Sequence, residues 1–240
     1  MVRIAAAGDV HAAPDRRDVL AEAFASLDAD VDLVLLAGDL TTHGEPEQGA
    51  ILAEAAAHSP APVVAVLGNH DWHVNRHDQL VEVLERGGVT VLERSWTIHQ
   101  TEGARVGVVG TKGFIGGFPD SQLPDFGEPS LRRVFAETTD EVVALERGLQ
   151  AIEDCDVRIA LLHYAPTSAT LQGEPTTIFT LLGTDRLAEP IRVHRPDVVF
   201  HGHAHAGTHE GRIGDVPVYN VAVPVMRKDF AVFELEAVRT

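Results

Sequence analysis

Cysteine is almost missing from this chain: Cys155 is the only one in 240 residues. No disulfide can close within the chain, and a structural zinc site built on several thiolates is excluded. Positive charge is scarce too. Nineteen Lys and Arg face 36 Asp and Glu, for a formal net charge of −17. That balance argues against a broad basic face for nonspecific nucleic-acid binding, so nucleic acid is not the expected partner. An anionic substrate is not excluded, because a cluster of metal ions can reverse the potential locally. No apolar run approaches the length needed to span a bilayer, and the opening MVRIAAAGDVH lacks the apolar core of a signal peptide. The expectation is a cytoplasmic protein with no membrane partner. Repeats, low-complexity tracts and linker-like stretches are also lacking, so one domain over residues 1–240 is expected.

Histidine, by contrast, is plentiful. Thirteen are present, concentrated near glycines and acids rather than spread along helices. Three alternate in the stretch VVFHGHAHAG, at His201, His203 and His205.

Short, almost wholly apolar runs alternate with helical stretches. Strands are predicted at Val2–Ala7, Val31–Ala37, Val63–Leu67, Arg105–Val109, Arg158–Leu162 and Val198–Phe200. Such runs suit strands covered on both faces. Val89–Leu92, Thr97–His99, Val216–Tyr219 and Phe230–Leu235 read as further strands. Helices are predicted over Asp15–Leu27, Glu45–Ala57, Gln79–Arg86, Leu131–Ile152 and Asp185–Val193. In the fourth, Leu131, Val134, Phe135, Thr138, Val142, Leu145, Leu149 and Ile152 keep a three-to-four-residue rhythm, with Ser130 as the expected N-cap. This order predicts an α/β protein with helices outside a sheet core. Two long Gly/Pro-rich loops, Thr111–Pro129 and Tyr164–Gly183, have the length of functional lids.

The apolar runs share an ending. They lead into Gly8-Asp9-Val10-His11, Gly38-Asp39, Gly68-Asn69-His70-Asp71, His163, and His201-Gly202-His203-Ala204-His205. Five strands thus deliver Asp, Asn or His at their carboxyl ends, the edge where ligands gather in open α/β sheets. Each piece alone is explained as well by a turn or a packed histidine. The five together point to a metal site of oxygen and nitrogen ligands, suited to Mn, Fe, Zn, Co or Ni.

This ordered set resembles the calcineurin-like metallophosphoesterase superfamily, whose pattern is D-x-H, G-D, G-N-H-[DE], a lone H, and G-H-x-H. The resemblance runs from Gly8 to His205, lacks no motif residue, and is to a small bacterial-type member. It implies a four-layer αββα sandwich of two mixed β-sheets flanked by helices, with the metal site at strand C-terminal ends. Val216–Tyr219 and Phe230–Leu235 are expected to complete the second sheet.

The resemblance also implies roles. Asp9, His11 and His205 would hold one divalent metal, and Asn69, His163 and His203 a second, with Asp39 bridging both. Mn²⁺ is the expected ion. His70 would act on the phosphate without binding metal, and Asp71 would hold its ring and tautomer. A metal-activated hydroxide would attack phosphorus in a small phosphorylated substrate. His201 is expected to pack or to support the site. His43, His73 and His77 are placed either around the pocket or on the surface, and Lys112 and Arg132/Arg133 receive no role. The expected activity is hydrolysis of a phosphate ester, with a lean toward diesters. The alternatives are a phosphomonoesterase or nucleotide phosphatase, a nuclease, or a noncatalytic scaffold.

Overall fold

The computed structural model describes residues 1–237. Its strands are β1 (Val2–Ala7), β2 (Leu33–Ala37), β3 (Val63–Val66), β4 (Val89–Val91), β5 (Ser95–Gln100), β6 (Arg105–Gly110), β7 (Val157–Leu161), β8 (Val198–His201), β9 (Glu210–Ile213), β10 (Val216–Asn220) and β11 (Ala231–Leu235). Its helices are α1 (Arg17–Ala25), α2 (Pro46–Ala56), α3 (His77–Arg86), α4 (Pro129–Ala151), α5 (Phe179–Leu182), α6 (Ala188–His194) and α7 (Val223–Met226).

Two sheets stack face to face. One has the order β11-β1-β2-β3-β4, the other β5-β6-β7-β8-β10-β9. Each is mixed: β1 to β4 run parallel with β11 antiparallel at the edge. In the second sheet β6, β7, β8 and β10 are parallel, and β5 and β9 are antiparallel. Alternation along an all-apolar strand feeds two cores at once. On β2, Val34 and Leu36 face α1 to α3, while Leu33, Leu35 and Ala37 face the other sheet. A third apolar layer joins β6 to β8 and β10 to α4 and α6 through Val109, Leu145, Leu149, Ile191 and Val199. These three interleaved cores make the four-layer α/β sandwich of two mixed sheets that was expected.

Two expectations need correction, and one strand is additional. Phe230–Leu235 does not join the second sheet: β11 pairs with β1, Val2 opposite Leu235, and closes the first. An edge of β1 was free there, and Phe233 and Leu235 drop into the layer between the sheets. Helix α4 starts earlier than Ser130. Its N-cap is Glu128 and Pro129 holds the first helical position, where a missing N–H costs nothing. Strand β9 was not foreseen, because Glu210–Ile213 has little apolar content and gains its place only by pairing with β10.

The two long loops pack on each other. Phe118, Ala165, Leu171, Leu182 and Ala204 form a small core of their own beside His203. None of the helices described is long and apolar enough to cross a membrane.

Candidate metal centre

Parallel strands deliver their carboxyl ends to one edge, and here both sheets do so at the same place. The turns after β1 and β2 are zipped together by Asp9 N to Gly38 O at 2.9 Å and His11 N to Asp39 O at 3.0 Å. The turn after β8 is tied to that after β7 by Gly202 N to His163 O at 3.1 Å. Four candidate ligands, Asp9, His11, Asp39 and His203, have φ between 48° and 69°. Non-glycine residues rarely adopt this left-handed region, and such strain persists where the surroundings over-determine it, often at functional sites.

The neighbouring glycines have a steric reason. A Cβ on Gly68 would overlap the backbone N and Oδ1 of Asp39, and one on Gly202 would overlap Oδ2 of Asp9. The carboxylates are pressed against bare backbone. Gly68→Ala is therefore expected to displace Asp39, costing about 1–3 kcal/mol of stability and most of the metal affinity. Calorimetric metal titration alongside thermal melting checks this, and unaltered metal affinity contradicts the steric reading.

Seven side chains gather at this edge. Asp9, His11, Asp39 and His205 each offer one ligand atom, all mutually within 4.8 Å. Asp39, His163 and His203 do the same. Asp39 belongs to both groups and is 1% exposed. Asn69 adjoins the second, its Oδ1 2.9 Å from His163 Nε2.

Hydrogen bonds fix the imidazole tautomers. Nδ1 of His163 lies 2.9 Å from the Ala37 carbonyl, which can only accept, so Nδ1 carries the hydrogen. On the neutral ring Nε2 then offers a lone pair toward Asn69 Oδ1, and toward Asp39 Oδ1 at 3.3 Å. Three lone-pair donors converge with no proton between them, a geometry that a cation satisfies. Likewise Nε2–H of His203 donates to the Leu181 carbonyl at 3.1 Å, leaving Nδ1 free. Such outward bonds orient ligating imidazoles.

Burial favours the neutral, ligating form of two of the rings, His203 and His11. It is the main cause that pushes His203 down to about 4, with His163 adding to it. It also lowers His11 against the pull of Asp39 and Asp9. Burial works against the charge of Asp9, but the hydrogen bond from His205 and the nearby His163 bring its carboxyl below the usual range. His205 is raised by that same bond, Nε2 to Oδ1 at 2.8 Å. A cation taking this place displaces that proton.

The donors are imidazole nitrogens, carboxylates and an amide oxygen in two groups with a shared anion. This set fits two divalent cations, and thiolates are lacking: Cys155 is buried elsewhere, against Gly107 of β6.

His70 stands over the groups. Its Nδ1–H donates to the Thr42 carbonyl at 2.8 Å, its Nε2 lies 3.8 Å from Asp39 Oδ2, and its ring packs on His11 at 4.7 Å. Asp71 does not hold this ring, contrary to the sequence expectation. Its two oxygens accept instead from Leu40 N, Thr41 N, Gly68 N and the Thr41 hydroxyl. Burial, with Asp39 nearby, pushes its carboxyl up to about 6, still below neutrality. Asp71 is a clamp between the turns after β2 and β3, and sequence could not show that a backbone carbonyl does the work assigned to it.

A sequence profile of the calcineurin-like phosphoesterases matches residues 2–207. The chain belongs to this family. No curated protein matches it in sequence. Among solved structures it is similar to a phosphopantetheinyl hydrolase from Mycobacterium tuberculosis, with 18% identity, TM-score 0.69, and 93% of this chain and 90% of the other covered. It is also similar to GAP50, the anchor in the inner membrane complex of Plasmodium, with 12% identity, TM-score 0.60, and coverage of 93% and 72%. A putative 5'-nucleotidase from Staphylococcus aureus follows at 15% identity and TM-score 0.57, covering all of this chain and 55% of its own. At these identities the likeness is one of fold.

Three further histidines lie near the site within the family fold. His201 is fully buried, its Nδ1–H on the Gly202 carbonyl and its Nε2 2.8 Å from the Thr170 hydroxyl. It anchors the 164–183 loop to β8 and belongs to neither donor group. His73 packs on His70 at 4.4 Å, whereas His77 stacks on Trp72 at 3.6 Å. Arg132 and Arg133 are exposed on α4, engaged with Asp125 and Ser130. Sequence reasoning passed over the Thr41 side chain and the carbonyls of Thr42 and Leu181.

Proposed function

We propose that the protein is a two-metal phosphoester hydrolase acting on a small phosphorylated substrate, with a lean toward phosphodiesters. The observation that carries this reading is the pair of donor groups sharing the buried Asp39 carboxylate. Asp9, His11 and His205 would hold one divalent ion, Asn69, His163 and His203 the other, and Asp39 both. A mixed oxygen and nitrogen set with one neutral amide supports Mn²⁺ among the candidates. When bound, such ions activate water toward phosphorus and neutralise phosphoryl oxygens.

The chain's own residues would do the rest. Asp39 supplies the shared anion that two neighbouring cations require. The Ala37 and Leu181 carbonyls keep His163 and His203 turned so that lone pairs face inward. His70, its Nδ1–H on the Thr42 carbonyl, would present Nε2 to the phosphate, to stabilise the transition state or to protonate the departing oxygen. The net charge of −17 speaks against a nuclease. A full donor set together with His70 speaks against a scaffold.

The test is hydrolysis of bis-p-nitrophenyl phosphate and p-nitrophenyl phosphate by metal-stripped and Mn²⁺-reconstituted protein. Activity restored at two ions per chain is expected, and a fully loaded but inert protein overturns the reading. His70→Asn should keep both metals yet lower kcat by about 10²–10⁴-fold. Loss of a metal in that variant would instead place His70 among the ligands.

A further inference from the structure

A cleft opens beside the metal centre on the side of Asn69. Its inner lobe, about 300 Å³, is lined by Asn69, Trp72, Lys112, Phe114, Glu137 and Tyr164. An outer lobe of about 410 Å³ shares Trp72, Lys112 and Glu137 and adds Glu93, Arg94 and Glu141. Volumes of this size are ordinary for small-molecule sites.

The walls are held in place. Lys112 precedes Gly113, whose N–H donates to the buried Glu141 at 2.8 Å, and Glu141 also takes Thr111 and Arg94. The Lys112 carbonyl accepts from His163 N and Tyr164 N, at 3.1 and 3.0 Å. Cleft and metal centre therefore share one strip of backbone. Trp72 is pinned by its stacking on His77.

The Lys112 ammonium has three donors and, among the described residues, uses one, on the Gly113 carbonyl at 3.0 Å. Around it stand aromatic rings, 4.4 Å away for Phe114, 5.3 Å for Tyr164 and 5.9 Å for Trp72. Glu137 and Glu141 are both taken by Arg94. So the cleft presents flat π-rich walls, spare N–H bonds and a rim of carboxylates. Aromatic faces favour a stacked ring. The spare donors favour an acceptor on that ring. The carboxylates disfavour a second strongly anionic group.

We propose that this cleft binds the leaving group of the substrate, a planar aromatic or heteroaromatic group carrying an uncharged hydrogen-bond acceptor, and that Lys112 selects it. The proposal rests on the phosphoester reading above for what occupies the metal centre. Lys112 is a specificity residue: it meets the departing group, not phosphorus.

Two measurements test it. In the first, kcat/KM is compared for p-nitrophenyl, phenyl and glycerol phosphates, as monoesters and as their methyl diesters, with phenyl diphosphate as an anionic competitor. Lys112→Met should lower the p-nitrophenyl preference over phenyl about tenfold, mainly through KM, and Lys112→Arg should restore it in part. Trp72→Leu should lower the aryl preference over glycerol. An equal fall on every substrate would make Lys112 merely structural and overturn the proposal. A loss confined to phenyl diphosphate would assign the cleft to a second phosphate and overturn it as well.

The second measurement needs no turnover. In metal-stripped Trp96→Phe protein, Trp72 is the only tryptophan left. Neutral 4-nitrobenzyl alcohol should quench its emission saturably, about tenfold more weakly with Lys112→Met. Unsaturable quenching, the same in both proteins, rejects the cleft whatever the enzyme assay shows. If quenching holds but no ester is hydrolysed by metal-loaded protein, the phosphoester reading fails and the ring site stands.

Discussion

Asp39→Ala should empty both metal positions at once and lower kcat/KM by at least about 10³-fold, a loss of several kcal/mol of transition-state stabilisation. Asp39 is the one side chain common to both donor groups, and it has almost no exposure to solvent. Without it, three groups remain on one side and His163 and His203 with Asn69 on the other. Two cations would then face each other with no shared anion. By comparison, His205→Ala removes a group from one cluster only and should leave the other ion measurable. Metal content by elemental analysis after gel filtration distinguishes the two. Two ions retained by Asp39→Ala would show that the clusters are independent sites, and the shared role of Asp39 would fall.

The second large effect is on stability. Asp71→Ala should lower stability by about 3–5 kcal/mol and the melting temperature by roughly 10 °C. The carboxylate is fully buried and collects four donors, three of them backbone N–H groups of Leu40, Thr41 and Gly68. Deleting it strands these donors away from water. His70→Asn touches none of them and should melt like the parent protein. Thermal melts of metal-free protein make the comparison. An unshifted melt for Asp71→Ala, joined to a kcat loss equal to that of His70→Asn, would return Asp71 to the role of partner to His70.

That contrast shows how the site was legible in part. Residues 68–71 give a strand end followed by amide, imidazole and carboxylate. In sequence, adjacent His and Asp suggest a hydrogen-bonded pair. In the fold, the short 3₁₀ turn at His70–Trp72 sends the two side chains in different directions. The imidazole goes out over Asp39, and the carboxylate goes back under the turn after β2. The same limit explains the misplaced Phe230–Leu235. Its apolar character announces a strand, but which sheet edge stands open for it depends on how every other strand has paired.

Strands themselves were readable because the core layers demand unbroken apolar runs, and run ends are visible where Gly and a polar residue follow. Strand β9 and the short α5 and α7 were not, since each is held by neighbours rather than by its own pattern. Lys112 shows the same difficulty at the level of function. A lone lysine in a Gly-rich loop is usually solvated, and only the convergence of Trp72, Phe114 and Tyr164 from three separate segments makes it the wall of a cleft.

By itself the sequence determined the residue types and their order along the strand ends, and with them the family and the layered α/β fold. Those features are local: a period of two along a strand, an apolar run, a glycine before a ligand. The tertiary structure alone decided which nitrogen of each ring faces inward and what Asp71 holds. These depend on carbonyls and amides such as Ala37 for His163 and Leu181 for His203, far apart in sequence or on other elements. Every residue carries a carbonyl, so no sequence pattern marks the one that will meet an imidazole, and only the folded chain selects it.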